Sequence, residues 1–169
     1  MIILNSDEFK AWHEVGHATV CLHLGGDVEA IEFLERDARG FAVARGCYVT
    51  PDTERSVACG GFAAEYYLLQ AGLVNAGDIT DPNVNAAVSA HLFSNAWADR
   101  LAFSGRTVTL ENDFTRKEDE EFMTYAIVHV VPIVAKYSEK MKAVVSQLLA
   151  NRKIGGHKVR NILNIGRLN

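Results

Sequence analysis

Apolar residues recur at helical spacing near the start of the chain, between residues 6 and 24. Phe9, Trp12, Val20 and Leu24 fall on one stripe of this segment, which indicates a helix with one buried face. A serine or asparagine able to cap the helix precedes it, acidic residues occupy its first turn, and two glycines follow its last turn. The pattern therefore predicts an amphipathic helix over 6–24.

The remaining pattern predicts short strands followed by helices. β-Branched and aromatic residues dominate two segments joined by a polar turn, which is typical of a hairpin or small sheet. Glycine and proline positions divide the rest of the chain into helical segments, and Pro132 is expected to kink or split the longest of them. The predicted strands cover 28–35 and 41–50, and the predicted helices cover 53–71, 82–103, 116–151 and about 158–163.

This order of elements predicts an α+β fold that is predominantly α-helical. A length of 169 residues is typical of one domain with a sizeable core, and the sequence shows no internal repeat. We therefore expect a single domain over 1–169. About 1–104 would contain the first helix with the small β-hairpin or sheet, and about 113–169 would form a C-terminal helical bundle. The stretches 105–115 and 152–156 are the expected flexible points.

Composition and charge argue against several classes of function. The chain has 17 basic and 21 acidic residues, a net charge of −4, and no dense stripe of lysine and arginine, so nucleic acid is not an expected partner. It contains no G-x-x-x-x-G-K-[ST] loop for ATP hydrolysis. The most apolar stretch, 125–135, is too short to span a membrane. Three cysteines without C-x-x-C pairing fit a reducing cytoplasm, the expected location.

The first helix carries the strongest chemical signal, an H-E-x-x-H motif formed by His13, Glu14 and His17. Residues four apart lie only about 40° apart around a helix, so both imidazoles can reach one metal ion. Glu14 is rotated about 100° from His13, which places its carboxylate beside the metal as a general base rather than on it as a ligand. Two imidazoles, one carboxylate and a water are the ligands of catalytic zinc, so zinc is the expected metal.

A third protein ligand must come from another part of the chain, and local spacing does not fix it. The candidates are Glu65, Asp78 and Asp81, with Asp52 and the distant histidines as weaker options. Asp78 and Asp81 lie in a loop that ends at a helix start, where Asp81 is also suited to cap the helix. Glu65 lies among small residues in a predicted helix, where it would serve as a ligand, as a hydrogen-bond partner of a ligand, or as one half of a buried ion pair.

The residues around the motif resemble the peptidase domain of the FtsH-type membrane zinc proteases. Residues 12–18, WHEVGHA, resemble that family's HEAGHA, and residues 60–65, GGFAAE, resemble its GGRxAE helix. Residues 80–84, TDPNV, resemble its SNDxxxA segment, although Ile79 and Thr80 replace the serine and asparagine before the aspartate. The similar blocks occur in the same order, and the resemblance extends to the C-terminal helices.

This resemblance implies a zincin-like active-site helix and one Zn²⁺ ion per chain on His13, His17 and Asp81, with Glu14 as the general base. Asp78 and Glu65 remain lesser candidates for the third ligand. The chain lacks the ATPase and transmembrane parts found in the family, so it is expected to act as a free-standing peptidase domain without ATP.

The expected function is therefore a zinc metallopeptidase that hydrolyses peptide bonds in short or unfolded polypeptides. Two alternatives stay open: a catalytically silent, zinc-stabilised adaptor or regulatory module, and a zinc hydrolase acting on small amides. The expected partner is a peptide or unfolded protein substrate, with neither nucleic acid nor membrane. A homo-oligomer and an ATPase partner acting in trans are both left open by the sequence.

Overall fold

The structure is a computed structural model that describes residues 1–34, 41–45, 50–75, 82–105 and 114–166. Within these residues the chain is mostly helical with two small sheets, which confirms the predicted α+β fold class. In chain order the helices are α1 (Asp7–His23), α2 (Pro51–Ala58), α3 (Gly60–Gln70), α4 (Pro82–Asn95), α5 (Trp97–Ser104), α6 (Arg116–Tyr125), a π-helical turn (Ala126–Val130), α7 (Val131–Asn151) and α8 (Gly156–Leu163).

Helix α1 begins and ends where its sequence signals predict. The Ser6 hydroxyl accepts a hydrogen bond from the Phe9 backbone N–H at 3.2 Å, which satisfies one of the free donors of the first turn. After the last turn, Gly25 adopts a φ of 87°, a left-handed conformation that glycine tolerates best. Phe9 and Trp12 are buried as predicted, so the apolar stripe faces the core.

The strands form two separate sheets among the described residues. β1 (Ile2–Ile3) pairs in parallel with β4 (Val74–Asn75). The second sheet is antiparallel with the order β3-β2-β5, in which β2 (Ala30–Leu34) lies between β3 (Phe41–Arg45) and β5 (Lys153–Gly155). Since β5 leads directly into α8, its pairing with β2 ties the end of the chain to the strand that follows α1.

Helix α1 lies in the centre of the molecule and packs mainly against α3 and α7. Its contact with α3 is close because glycines meet there: a β-carbon on Gly60 would lie 2.7 Å from the Cα atom of His17, and one on Gly16 would overlap the Gly60 carbonyl. The small residues noted in the sequence thus let two helix backbones touch. Large buried side chains, including Trp12 and Phe62, pack around this contact.

Two predicted helices are each divided in the structure. The segment 53–71 forms α2 and α3, which meet at Cys59, and the segment 82–103 forms α4 and α5, which meet at Ala96. Ala96 has φ −81° and ψ 16°, outside the helical range, so the chain changes direction there. The break at Cys59 is followed directly by Gly60 and Gly61, whereas no glycine or proline lies next to the break at Ala96, which the sequence pattern therefore does not show.

Two other segments differ from the expectation near the end of the chain. Residues 153–155, within an expected flexible stretch, form strand β5. Near Pro132 the helix is divided by the π-helical turn, which lies between α6 and the start of α7 at Val131 and is not a loop. Proline lacks the N–H needed to continue the regular helical hydrogen bonds, which accounts for a wider turn at this point. Of the predicted strand 41–50, residues 46–49 lie outside the described residues.

In the part of the chain that the structure describes, no helix combines the length and the apolar character needed to cross a lipid bilayer.

Candidate metal centre

Two helices bring three potential metal ligands together. α1 contributes His13 and His17, and α5 contributes Asp99. The Nε2 atoms of the two histidines lie 3.2 Å apart. Asp99 Oδ1 lies 3.2 Å from His17 Nε2, and Asp99 Oδ2 lies 3.5 Å from His13 Nε2. These three side chains could hold a metal ion.

The Nδ1 atom of each of the two imidazole rings makes a hydrogen bond to a neighbouring residue. His13 Nδ1 donates to Glu65 Oε1 at 2.9 Å, and His17 Nδ1 donates to the Val57 carbonyl at 2.7 Å. A carbonyl oxygen can only accept, so the Nδ1 atom of His17 must carry the proton. In the neutral form of each ring, Nε2 then carries a lone pair directed toward the other ligands. The surrounding protein therefore fixes the tautomer that metal binding requires.

The dimensions of the site fit a tetrahedral metal. Ligand atoms about 2.0–2.1 Å from a tetrahedral zinc ion lie about 3.3–3.4 Å from one another. The two Nε2 atoms lie 3.2 Å apart, and each faces a different oxygen of Asp99: His17 Nε2 lies 3.2 Å from Oδ1 and His13 Nε2 lies 3.5 Å from Oδ2. Asp99 Oδ2 is also buried and has no hydrogen-bond partner in the structure. Because an unpaired buried carboxylate oxygen is costly, a cation at this position would satisfy it.

The electrostatics of the site favour a positive charge. Burial lowers the pKa of His13, but the negative charges of Asp99 and Glu65 outweigh this effect and raise the pKa from 6.5 to about 10. The pKa of His17 is also raised, since the attraction of Asp99 outweighs burial. Burial raises the pKa of Asp99, but its attraction to the two histidines outweighs burial and lowers it overall. Protons and a metal ion would therefore compete for the same negatively charged site.

Glu14 lies beside this group on α1. It is half-buried, and its negative charge contributes to the raised pKa of both His13 and His17. It does not belong to the set of three converging ligand atoms. The side chains of His13, His17 and Asp99 are largely buried, with 13, 14 and 12% of each exposed. Glu14 therefore neighbours the three candidate ligands in the sequence of α1 without being one of them.

Glu65 lies in α3 with its side chain fully buried. Its Oε1 atom accepts hydrogen bonds from His13 Nδ1 and from Asn95 Nδ2, the latter at 3.0 Å. Glu65 is therefore a hydrogen-bond partner of His13, one of the candidate metal ligands, and with His13 protonated the same contact is a buried ion pair. Asp78 and Asp81, the other predicted third ligands, lie outside the described residues.

Asp99 is absent from the ligands predicted by sequence, although a signal for it exists. It occupies the first turn of α5, where the helix dipole favours a carboxylate. Asn95 and Asp99 are four residues apart in a segment rich in small and apolar residues, and both point toward the groups around His13. Because the chain changes direction at Ala96, between these two residues, helical spacing does not by itself predict that they share a site.

Comparison with known proteins supplies no relative, because no family model matches the chain and no curated protein matches its sequence. The site is interpreted from its own geometry.

The metal-free protein should lose stability as pH rises from about 6.5 to about 10. In this window the folded state keeps the His13 proton, with a pKa of about 10, whereas the unfolded chain releases it near 6.5. The stabilisation is thus complete below the unfolded value and is lost above the folded value. Urea unfolding in the presence of EDTA, repeated across this window, measures the effect. Replacing His13 by glutamine should make the profile less steep, with the raised pKa of His17 still contributing, and a wild-type profile no steeper than that of the variant would contradict the prediction.

Proposed function

We propose that this chain is a zinc-dependent metallopeptidase, with zinc held by His13, His17 and Asp99. The observation that carries the proposal is the convergence of two Nε2 atoms, on rings whose Nδ1 atoms already make hydrogen bonds, on the carboxylate of Asp99, whose buried Oδ2 atom makes no hydrogen bond. A purely structural zinc site closes its coordination with four protein ligands, whereas a catalytic site keeps a position open. The three converging side chains of the described residues fit the second kind of site.

The choice of zinc follows from the ligand types. Neutral imidazoles and one carboxylate suit zinc, and the tetrahedral dimensions given above agree with it. The resemblance of residues 12–18 and 60–65 to FtsH-type peptidases supports the same metal and the same chemistry. The proposal differs from that resemblance at one position, since it takes Asp99 from α5 as the third ligand in place of Asp81.

The residues have distinct roles in the proposed hydrolysis. A zinc ion at this site would supply Lewis acidity, which lowers the pKa of water and polarises an amide carbonyl. Glu14 accepts the proton of the attacking water on its carboxylate and delivers it to the leaving amine nitrogen. Glu65 holds His13 in the Nδ1-protonated tautomer, and the Val57 carbonyl does the same for His17.

The proposed substrates are short peptides and unfolded segments of proteins. Strand β3 is at the edge of its sheet among the described residues and packs against α1, the helix that carries the motif. An extended peptide can add to such an edge through backbone hydrogen bonds, which requires no particular sequence. The proposed hydrolysis by this chain itself uses no ATP, and the test below is therefore made without ATP.

Removal of zinc should abolish the proposed activity. Zinc-loaded protein mixed with reduced casein, without ATP, should release peptides detectable by mass spectrometry. The same protein treated with a chelator should release none, and added zinc should restore cleavage. If the protein binds one zinc ion per chain and cleaves neither casein nor short peptides, the peptidase proposal fails and the zinc-stabilised adaptor becomes the better interpretation.

A further inference from the structure

Gly61, the second residue of α3, lies against the edge of the His13 ring that contains Nε2, the proposed ligand atom. We propose that Gly61 is a positioning residue for the metal centre: its missing side chain leaves the space in which the His13 ring takes its ligating orientation. This inference rests on the proposed metal site and adds to it a residue that makes no bond to the metal.

The three atoms nearest to the space beside Gly61 all belong to the His13 ring. A β-carbon built on Gly61 would lie 2.6 Å from His13 Cδ2 and closer still to its Nε2 and Cε1 atoms. Carbon atoms in contact normally lie about 3.5–4.0 Å apart, so a methyl group and the ring cannot both keep these positions. The atom most affected is Nε2, which is the proposed ligand.

The two neighbouring glycines have a different function. A β-carbon on Gly16 or on Gly60 would meet backbone atoms of the facing helix. Those two residues permit the close packing of α1 on α3, and a methyl group on either would force the helices apart. At Gly61 the nearest atoms belong to a side chain instead, so the strain would fall on the metal site rather than on the helix packing.

The His13 ring cannot move away without losing contacts. Its Nδ1 atom is bonded to Glu65, whose side chain is fully buried and also accepts a hydrogen bond from Asn95. Its Nε2 atom faces Asp99 and His17. A methyl group at residue 61 would therefore displace Nε2, break the Glu65 hydrogen bond, or do both. Either change weakens metal binding while the helices stay packed.

The test compares Gly61→Ala with Gly155→Ala. No atom lies within 4 Å of a β-carbon built on Gly155, and its φ of −71° is acceptable to alanine, so this variant is a matched control. Zinc affinity is measured by competition with a chromophoric chelator, and the geometry of the site by the visible spectrum of the Co²⁺-loaded protein. Gly61→Ala should lower zinc affinity by about 10–100-fold, the range found when a ligand loses its support, and should alter the Co²⁺ spectrum. Gly155→Ala should match the wild type in both.

A double-mutant cycle keeps the proposal testable if Gly61→Ala folds poorly. In a His13→Ala background the ring is gone, so adding Gly61→Ala should cost no further stability in thermal unfolding. A double variant that is less stable than His13→Ala alone would show that Gly61 serves helix packing, and would overturn the proposal. Unchanged zinc affinity and spectrum in Gly61→Ala would also overturn it. Failure of the wild type to bind zinc would instead refute the metal site itself.

Discussion

Replacing Asp99 by asparagine is expected to lower zinc affinity by more than about 100-fold. Loss of a residue that only hydrogen-bonds to a metal ligand lowers affinity by about 10–100-fold, and Asp99 is itself a proposed ligand. The change keeps the shape of the side chain but removes the negative charge that faces both His13 and His17. An amide is a poor zinc ligand compared with a carboxylate, and the charge that attracts a cation to the site would be lost. Chelator competition measures the affinity, and circular dichroism checks that the helical content is retained.

Asp81→Asn is the matched comparison for this prediction. It makes the same chemical change at the aspartate that the FtsH-type resemblance favours as the third ligand. The structure-based assignment predicts zinc binding close to that of the wild type in Asp81→Asn. If Asp81→Asn lost zinc and Asp99→Asn retained it, the third ligand would be Asp81 and the assignment of Asp99 would be wrong.

Replacing Glu14 by glutamine is expected to lower the rate of peptide hydrolysis by about 10²–10⁴-fold, the contribution of a well-placed general base. Glutamine has nearly the same size but cannot accept a proton from water at neutral pH. Since Glu14 is not one of the three converging ligands, zinc content should stay at one ion per chain. The rate is measured on reduced casein by quantifying peptide products, and zinc is measured by elemental analysis of the same samples.

Glu8→Gln provides the control for the glutamate substitution. Glu8 lies on the same helix, in its exposed first turn, and is not among the three metal-ligand candidates. Its replacement should leave the hydrolysis rate unchanged. Equal rates for Glu14→Gln and the wild type at equal zinc content would rule out Glu14 as the base.

Helix α1 and the ligand pair it carries follow from local sequence signals. The cap at Ser6, the stripe that includes Phe9 and Trp12, and the spacing of His13 and His17 all act within one helix. Such local features depend on helix geometry alone, and therefore they can be predicted without knowledge of the tertiary fold. The small residues near Gly16 and Gly60 likewise indicate the close helix contact that the structure contains.

The rest of the site depends on contacts between residues far apart in the sequence. Asp99 reaches the histidines because α4 and α5 change direction at Ala96, and no proline or glycine marks that break. Strand β5 forms because β2 offers it an edge, although its three residues carry little strand signal of their own. Glu65 is one of several acidic candidates until its contact with His13 Nδ1 is known. In each case tertiary packing determines an outcome that local propensity leaves open.

The most direct test of the metal assignment is a crystal structure of the zinc-loaded protein with anomalous data collected at the zinc absorption edge. We expect one anomalous peak per chain, about 2.0–2.2 Å from His13 Nε2, His17 Nε2 and a carboxylate oxygen of Asp99. A peak coordinated by a different carboxylate, or no peak between α1 and α5 in zinc-saturated crystals, would contradict it.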